Sequence, residues 1–295
     1  MQVFFHKAPG GNVGDDLNAE LWHRVVPGLD ELATADWLIG IGTILDERIN
    51  SLPGSKIVMG SGVRPNSSGR LHGDIRIAAV RGLLSAERLG LDRSIAACDP
   101  GFLVAQLWPG SNSTAESVGL IPHVYSEQWS KISKAGADAG LDVISPTLPI
   151  EQFLQRLRRC KRVYCESLHA AIFADALRIP WARVRLTSHY FEGAGVSDFK
   201  WQDAFSVIGM SNAPMNRRAL IRPKRSAGFV RSVLRPAHAL AEHRLAKALM
   251  KRSDDASIFK LSDGARLQEQ MQVLLSRVAM LRSERDIQSW PRAHA

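Results

Sequence analysis

Cys165-Glu-Ser-Leu-His-Ala-Ala-Ile-Phe-Ala-Asp-Ala-Leu-Arg-Ile-Pro-Trp181 places a histidine in the first turn of a helix that follows an apolar strand. Arg162–Glu166 reads as the strand, Ser167 as the helix N-cap and Leu168–Leu177 as the helix. His169, Ile172, Phe173, Ala176 and Leu177 recur at helical spacing, which gives the helix one core-facing side. A helix start presents N–H groups without intrahelical partners and the positive end of the dipole, a suitable place for an anion. Taken alone, His169 fits a half-buried structural histidine equally well.

A second stretch, Gly10-Gly-Asn-Val-Gly-Asp-Asp-Leu-Asn18, follows the apolar start Val3–Phe5 and precedes the helical pattern Leu17, Leu21, Trp22, Val25. Strand, glycine turn and helix together bring backbone N–H groups close to a phosphate or sugar. The glycine spacing is not that of a dinucleotide fingerprint. Two adjacent acids, Asp15 and Asp16, stand at the mouth of the turn. One suffices as an N-cap, expected to be Asp16, which leaves the other for chemistry.

Outward from these two points, short apolar runs alternate with helical stretches. Expected strands are Val3–Phe5, Trp37–Ile41, Lys56–Met59, Ile75–Val80, Ser117–Pro122, Leu141–Ile144, Arg162–Glu166 and Ala182–Leu186. Expected helices include Asp16–Val25, Leu83–Leu89, Ser126–Ala135, Ile150–Arg159 and Leu168–Leu177. Alternation on this scale argues parallel α/β units, with ligands beyond the C-terminal strand ends. The breaker-rich Leu107–Thr114 marks a boundary. The expected architecture is α/β, with two Rossmann-like domains (1–110 and 111–220) facing across a cleft in the GT-B manner and a basic helical extension, 221–295.

Composition fits this picture. The chain has 295 residues, 45% of them hydrophobic, and no apolar run near the roughly 20 residues that span a bilayer. Lys7 and the glycine turn interrupt the apolar start, so no secretory signal is expected. Cys98, Cys160 and Cys165 lack metal-ligand spacing and are expected to be reduced core thiols of a cytoplasmic protein. From Arg217 to Arg252, eleven Lys and Arg face Glu242 alone, a net +10, so the rest of the +9 chain sums to −1. Without interleaved aromatics this segment is no nucleic-acid surface. Its apolar stripe (Phe229, Val233, Leu234, Ala237, Leu240, Ala241, Leu245, Ala248, Leu249), with a break or kink at Pro236, either packs back on the core or visits an anionic membrane. A second stripe runs through Leu267, Met271, Leu274, Leu275, Val278 and Leu281.

The ordered set of motifs resembles the polysaccharide pyruvyl transferase family, in the branch that adds ketal pyruvate to exopolysaccharide repeat units. The family's N-terminal signature is met by Gly11, Asn12, Gly14 and Asp15. Its middle elements are similar to Gly40–Thr43, Gly60–Gly62, Val80–Gly82 and Asp99–Gly101, and its C-terminal signature to Leu168, His169 and Pro180. Two positions depart: Ser167 stands where many relatives carry Arg, and Arg178 where they often carry Gly.

The resemblance implies phosphoenolpyruvate as donor, no cofactor, and a pyruvate ketal on one sugar of a repeat unit, made at the cytoplasmic side on a lipid-linked oligosaccharide. Such a reaction requires a general acid at the donor methylene, a base at the sugar hydroxyl, and cations for carboxylate and phosphate. His169 is the expected acid, since a histidine's ordinary pKa of about 6.5 suits proton transfer near neutrality. Asp15 is the expected base, with Asp16 as the alternative. Arg81 is the leading donor ligand, with Arg64, His123, Asn12 and Ser167 beside it. Metal-ligand spacing is absent, so catalysis without a metal is expected. Two other readings are a GT-B glycosyltransferase using a nucleotide sugar and a non-catalytic scaffold of polysaccharide assembly.

Overall fold

The computed structural model describes residues 1–67, 70–111, 116–187, 194–210, 215–220 and 228–293. The chain forms two compact units. Unit 1 comprises 1–109, 192–212 and 262–295; unit 2 comprises 110–191 and 213–261. Each is built on its own parallel sheet, giving an α/β fold.

In unit 1 the sheet runs β1 (Gln2–Phe4), β2 (Trp37–Ile39), β3 (Lys56–Ser61) and β4 (Ile75–Val80) in spatial as in chain order. The register aligns Val3 with Leu38, Leu38 with Ile57 and Val58 with Ile77. All six residues of β3 are buried, as in a parallel strand covered on both faces, with Ile57–Met59 its apolar centre. The second stripe of the extension covers this unit: Leu267, Met271, Leu274, Val278 and Leu281 are buried. Pro291–Ala293 then lies antiparallel beside β4. Ile77 N–H donates to Pro291 O at 3.0 Å, and Ala293 N–H donates to Ile75 O at 3.1 Å, which closes that sheet edge.

Unit 2 has the order β6 (Asp142–Val143), β5 (Ser117–Ile121), β7 (Cys160–Cys165), β8 (Trp181–Thr187) and β9 (Met215–Leu220), all parallel. The chain moves from β5 outward to β6 and returns to β5's other side as β7. The topological switch point therefore lies between β5 and β7, where ligands of open parallel sheets bind. Leu245, Ala246 and Leu249 of the helix Gly228–Lys251 join Val118, Leu120, Ile132 and Tyr164 in this unit's core. Tyr164 also donates its hydroxyl to Leu249 O at 2.9 Å. Leu245 and Leu249 of the stripe pack in this core, whereas the side chains of Phe229, Val233, Leu234 and Ala237 lie outside those described. Among the described residues no helix is long and apolar enough to cross one. The three cysteines are free and buried. Burial pushes the Cys160 thiol up to about 11 and raises those of Cys98 and Cys165 as well.

Several boundaries differ from expectation for local reasons. The first helix splits into Val13–Asp16 and Asn18–Val25, and its N-cap is Asn12 rather than Asp16. Ser126–Ala135 is two helices, Val124–Trp129 and Ile132–Asp138, divided at Ser130, whose backbone is extended. The helix Gly228–Lys251 runs through Pro236. Two elements escaped the periodicity. The helix Ala194–Ser206 buries Val196, Trp201, Ala204 and Phe205 without a regular apolar stripe, and β9 carries Asn216, Arg217 and Arg218.

Candidate active site

In unit 1 four parallel strands end at one edge, so the turns after β1, β2, β3 and β4 come together there. The first turn holds Gly10 and Gly11, both at φ 85°, a left-handed conformation that favours glycine. Asn12 then organises both acids. Its Oδ1 accepts from Gly14 N–H at 3.3 Å, and its Nδ2 donates to Asp15 Oδ2 at 2.7 Å. The Asn12 backbone N–H donates to Asp16 Oδ2, also at 2.7 Å. Asp16 is exposed and serves as a reciprocal partner of the cap, whereas Asp15 is half-buried. A Cβ added to Gly42 would stand 3.9 Å from Asp15 Oδ1, so Asp15 faces the turn after β2.

Buried Asn18 clamps that arrangement. It donates to Asp15 O and Ile41 O at 2.9 and 3.1 Å, and accepts from Ile41 N–H at 2.7 Å and from the Trp22 indole at 2.9 Å. A Cβ at Gly40 would fall 2.1 Å from Asn18 Oδ1, which explains the glycine there.

Arg64 follows the bridge between Leu45 and Val63 and is half-buried. Among the described residues its guanidinium makes no hydrogen bond or ion pair. His6, just past β1, has its pKa lowered first by partial burial and then by the charges of Arg48, Arg64 and Lys200, with Asp46 opposing. Three cations therefore act at the edge where Asp15 sits. His6 was not legible as a site residue, because no motif surrounds it.

Arg81 is not at the surface. Its side chain is 1% exposed and paired with fully buried Asp203, Nε to Oδ2 at 3.5 Å. Nη1 donates to Thr43 Oγ1 at 3.0 Å and to Gly42 O at 3.4 Å. The guanidinium lies on Gly62, where a Cβ would come within 2.4 Å of Nη2. The expected donor ligand is thus enclosed by protein groups, because Gly62 lets it fold inward and Asp203 supplies the counter-charge.

In unit 2 the switch point brings together His123 after β5 and Glu166, Ser167 and His169 after β7. Glu166 N–H donates to Ile121 O at 2.9 Å, continuing the β5–β7 ladder. Its buried carboxylate accepts His123 N–H at 2.8 Å and Leu186 N–H at 2.9 Å, which ties the ends of β5, β7 and β8. Tyr125 N–H donates to His123 Nδ1 at 3.3 Å, so the neutral ring carries its proton on Nε2 and can donate it. Ser167 is the N-cap residue of Leu168–Ala176, yet its hydroxyl makes no cap hydrogen bond. His169 is 8% exposed, with its ring centroid 6.0 Å from that of Phe173. Among the described residues, no group of three or more His, Cys, Asp or Glu is placed to hold a metal ion.

The chain is similar in sequence to known proteins. Residues 39–186 match the family model described as polysaccharide pyruvyl transferase. Over 223 residues the chain is 32% identical to the succinoglycan biosynthesis protein ExoV of Rhizobium meliloti (strain 1021), an alignment covering 72% of this chain and 67% of ExoV. No solved structure matches it significantly.

Proposed function

Because this chain belongs to the polysaccharide pyruvyl transferase family, we propose that it transfers pyruvate from phosphoenolpyruvate to one sugar of a repeat unit, forming a ketal during exopolysaccharide biosynthesis. The observation that carries the reading is the family match over 39–186, which takes in the turns after β2, β3 and β4 and both histidines of the unit 2 switch point. A nucleotide-sugar transferase or a scaffold does not account for that match.

Each proton has a proposed place. His169 protonates the donor methylene carbon, leaving an oxocarbenium-like centre that carries phosphate and carboxylate. A sugar hydroxyl attacks it and gives its proton to Asp15. The C–O bond to phosphate then breaks, and phosphate departs with the proton that Asp15 had taken, which restores the Asp15 carboxylate. A second hydroxyl of the same sugar closes the ketal, and its proton restores His169. The methyl hydrogen gained and the two hydroxyl protons lost balance against the protonated phosphate. Arg64 and the Nε2–H of His123 are the proposed contacts for donor anions, with Asn12 holding Asp15 and Ser167 opening the helix before His169. The acceptor is a poly- or oligosaccharide; a lipid-linked one is the form this proposal favours.

The test is incubation of the purified protein with phosphoenolpyruvate and repeat-unit oligosaccharide. Phosphate release matched to a mass gain of one pyruvate ketal per acceptor is expected. Turnover with nucleotide sugars, and none with phosphoenolpyruvate, would overturn the reading.

A further inference from the structure

Asp203 belongs to no motif and lies far along the chain from the rest of the unit 1 edge, yet it is fully buried beneath it. Its Oδ1 accepts Ser85 N–H at 2.8 Å and its Oδ2 accepts the Ser85 hydroxyl at 2.5 Å. Ser85 Oγ in turn accepts Val63 N–H at 2.9 Å, on the turn that carries Arg64. Through the ion pair with Arg81, the same carboxylate backs the guanidinium that holds Thr43 Oγ1 and Gly42 O. Gly42 O also accepts Gly62 N–H at 2.9 Å, and Gly42 is the residue that faces Asp15. One carboxylate thus stands behind two turns, one facing the proposed base and one bearing the proposed donor cation.

The helix that supplies Asp203 is locked in place. Ser206 Oγ accepts Leu83 N–H at 2.9 Å and donates to Asp203 O at 2.7 Å. A Cβ at Gly82 would come within 2.0 Å of Asp203 O. Gly82 is the side-chain-less N-cap of the helix Leu83–Arg88, so Asp203 and Ser206 cap that helix from a distant part of the chain. An anion already occupies the helix start beside Arg81, which leaves that place closed to a donor phosphate.

We infer that Asp203 is a positioning residue: through Arg81 and Ser85 it sets the turns that face Asp15 and carry Arg64. The inference rests on the proposed pyruvyl transfer. Positioning acts on the chemical step, since small misplacements of reacting groups cost up to about a hundredfold in rate. Asp203→Asn keeps the shape and removes the charge that orients Arg81.

The experiment compares wild type with Asp203→Asn, Ser85→Ala and Thr43→Val, reading kcat per folded molecule, KM for phosphoenolpyruvate, and amide hydrogen exchange. Asp203→Asn is expected to lower kcat about a hundredfold with KM within about twofold, and the other two to lower it less with the same signature. A rise in KM at unchanged kcat would overturn the inference, because Arg81 would then be a donor ligand. Exchange at Val63 and Gly62 N–H should quicken in Asp203→Asn, while Glu166 N–H in unit 2 stays protected; unchanged exchange also overturns it. If Asp203→Asn does not fold, the Thr43→Val and Ser85→Ala signatures decide. The exchange reading does not depend on catalysis, so a wild type inactive on phosphoenolpyruvate sinks the proposed function without touching the relay.

Discussion

Glu166 accepts the backbone N–H of His123 at 2.8 Å across the β5–β7 switch point, and its second oxygen takes Leu186 N–H at 2.9 Å. Glu166→Ala leaves both donors without this carboxylate. With charge-assisted hydrogen bonds worth about 1.5–3 kcal/mol each, the loss is expected to be about 3 kcal/mol or more. Equilibrium urea unfolding measures it; a loss under about 1 kcal/mol would show that water replaces the carboxylate.

His169→Ala should reduce turnover about a hundred- to ten-thousandfold while leaving phosphoenolpyruvate binding nearly intact, because an acid acts in the transition state. Single-turnover kinetics with direct titration of the donor separates the two quantities. A variant keeping more than half the turnover removes His169 from the mechanism.

Arg64→Ala should weaken donor binding by about ten- to a hundredfold, the equivalent of one charge-assisted contact. His6 offers an independent reporter. Partial burial and then the cations near it hold its pKa down, so an anion seated beside Arg64 should raise it. Proton NMR titration of His6 with and without phosphoenolpyruvate reads the shift; a His6 pKa indifferent to saturating donor places the anion elsewhere.

Among the described residues, Arg178 is the non-glycine residue held at positive φ, 58°, just past the helix Leu168–Ala176. A side chain in that left-handed conformation costs about 1–2 kcal/mol, a cost that glycine does not meet. Arg178→Gly should therefore be more stable than Arg178→Ala by about 1 kcal/mol, since both lose the 3.3 Å pair with Asp175. Thermal unfolding of the two variants side by side decides; equal melting temperatures would mean the strain is absent.

Much of the sheet architecture was written in local pattern. β4 matches its apolar run, and six of the other seven expected strands begin within one residue of their place. The remaining one, β7, begins two residues early. Helix and strand periodicity report a burial that each segment arranges for itself. The same logic failed for Ala194–Ser206, whose burial is imposed by Gly82, Ser85 and Arg81 far away in the chain. Asp203 stayed hidden for this reason, and Arg81 was read as a donor ligand because its counter-charge lies on that helix, beyond the reach of local pattern. His169, Asn12 and Asp15 stood out as candidates because turn glycines and helix starts mark them from within a few residues.

The interleaving of the two units has a consequence for biosynthesis. Unit 2 has all its residues once Leu261 is made, whereas unit 1 still lacks 262–295. Until those emerge from the ribosome, the outer edge of β4 waits for Pro291–Ala293, and the helix Leu83–Arg88 has waited for Asp203 and Ser206. The N-terminal sheet is thus the first to be synthesised and the last to be closed. An open strand edge held that long invites pairing with other nascent chains. Slow or stalled translation, or scarce chaperones, should trap this protein through its first hundred residues, and no single cut in the chain releases unit 1 whole.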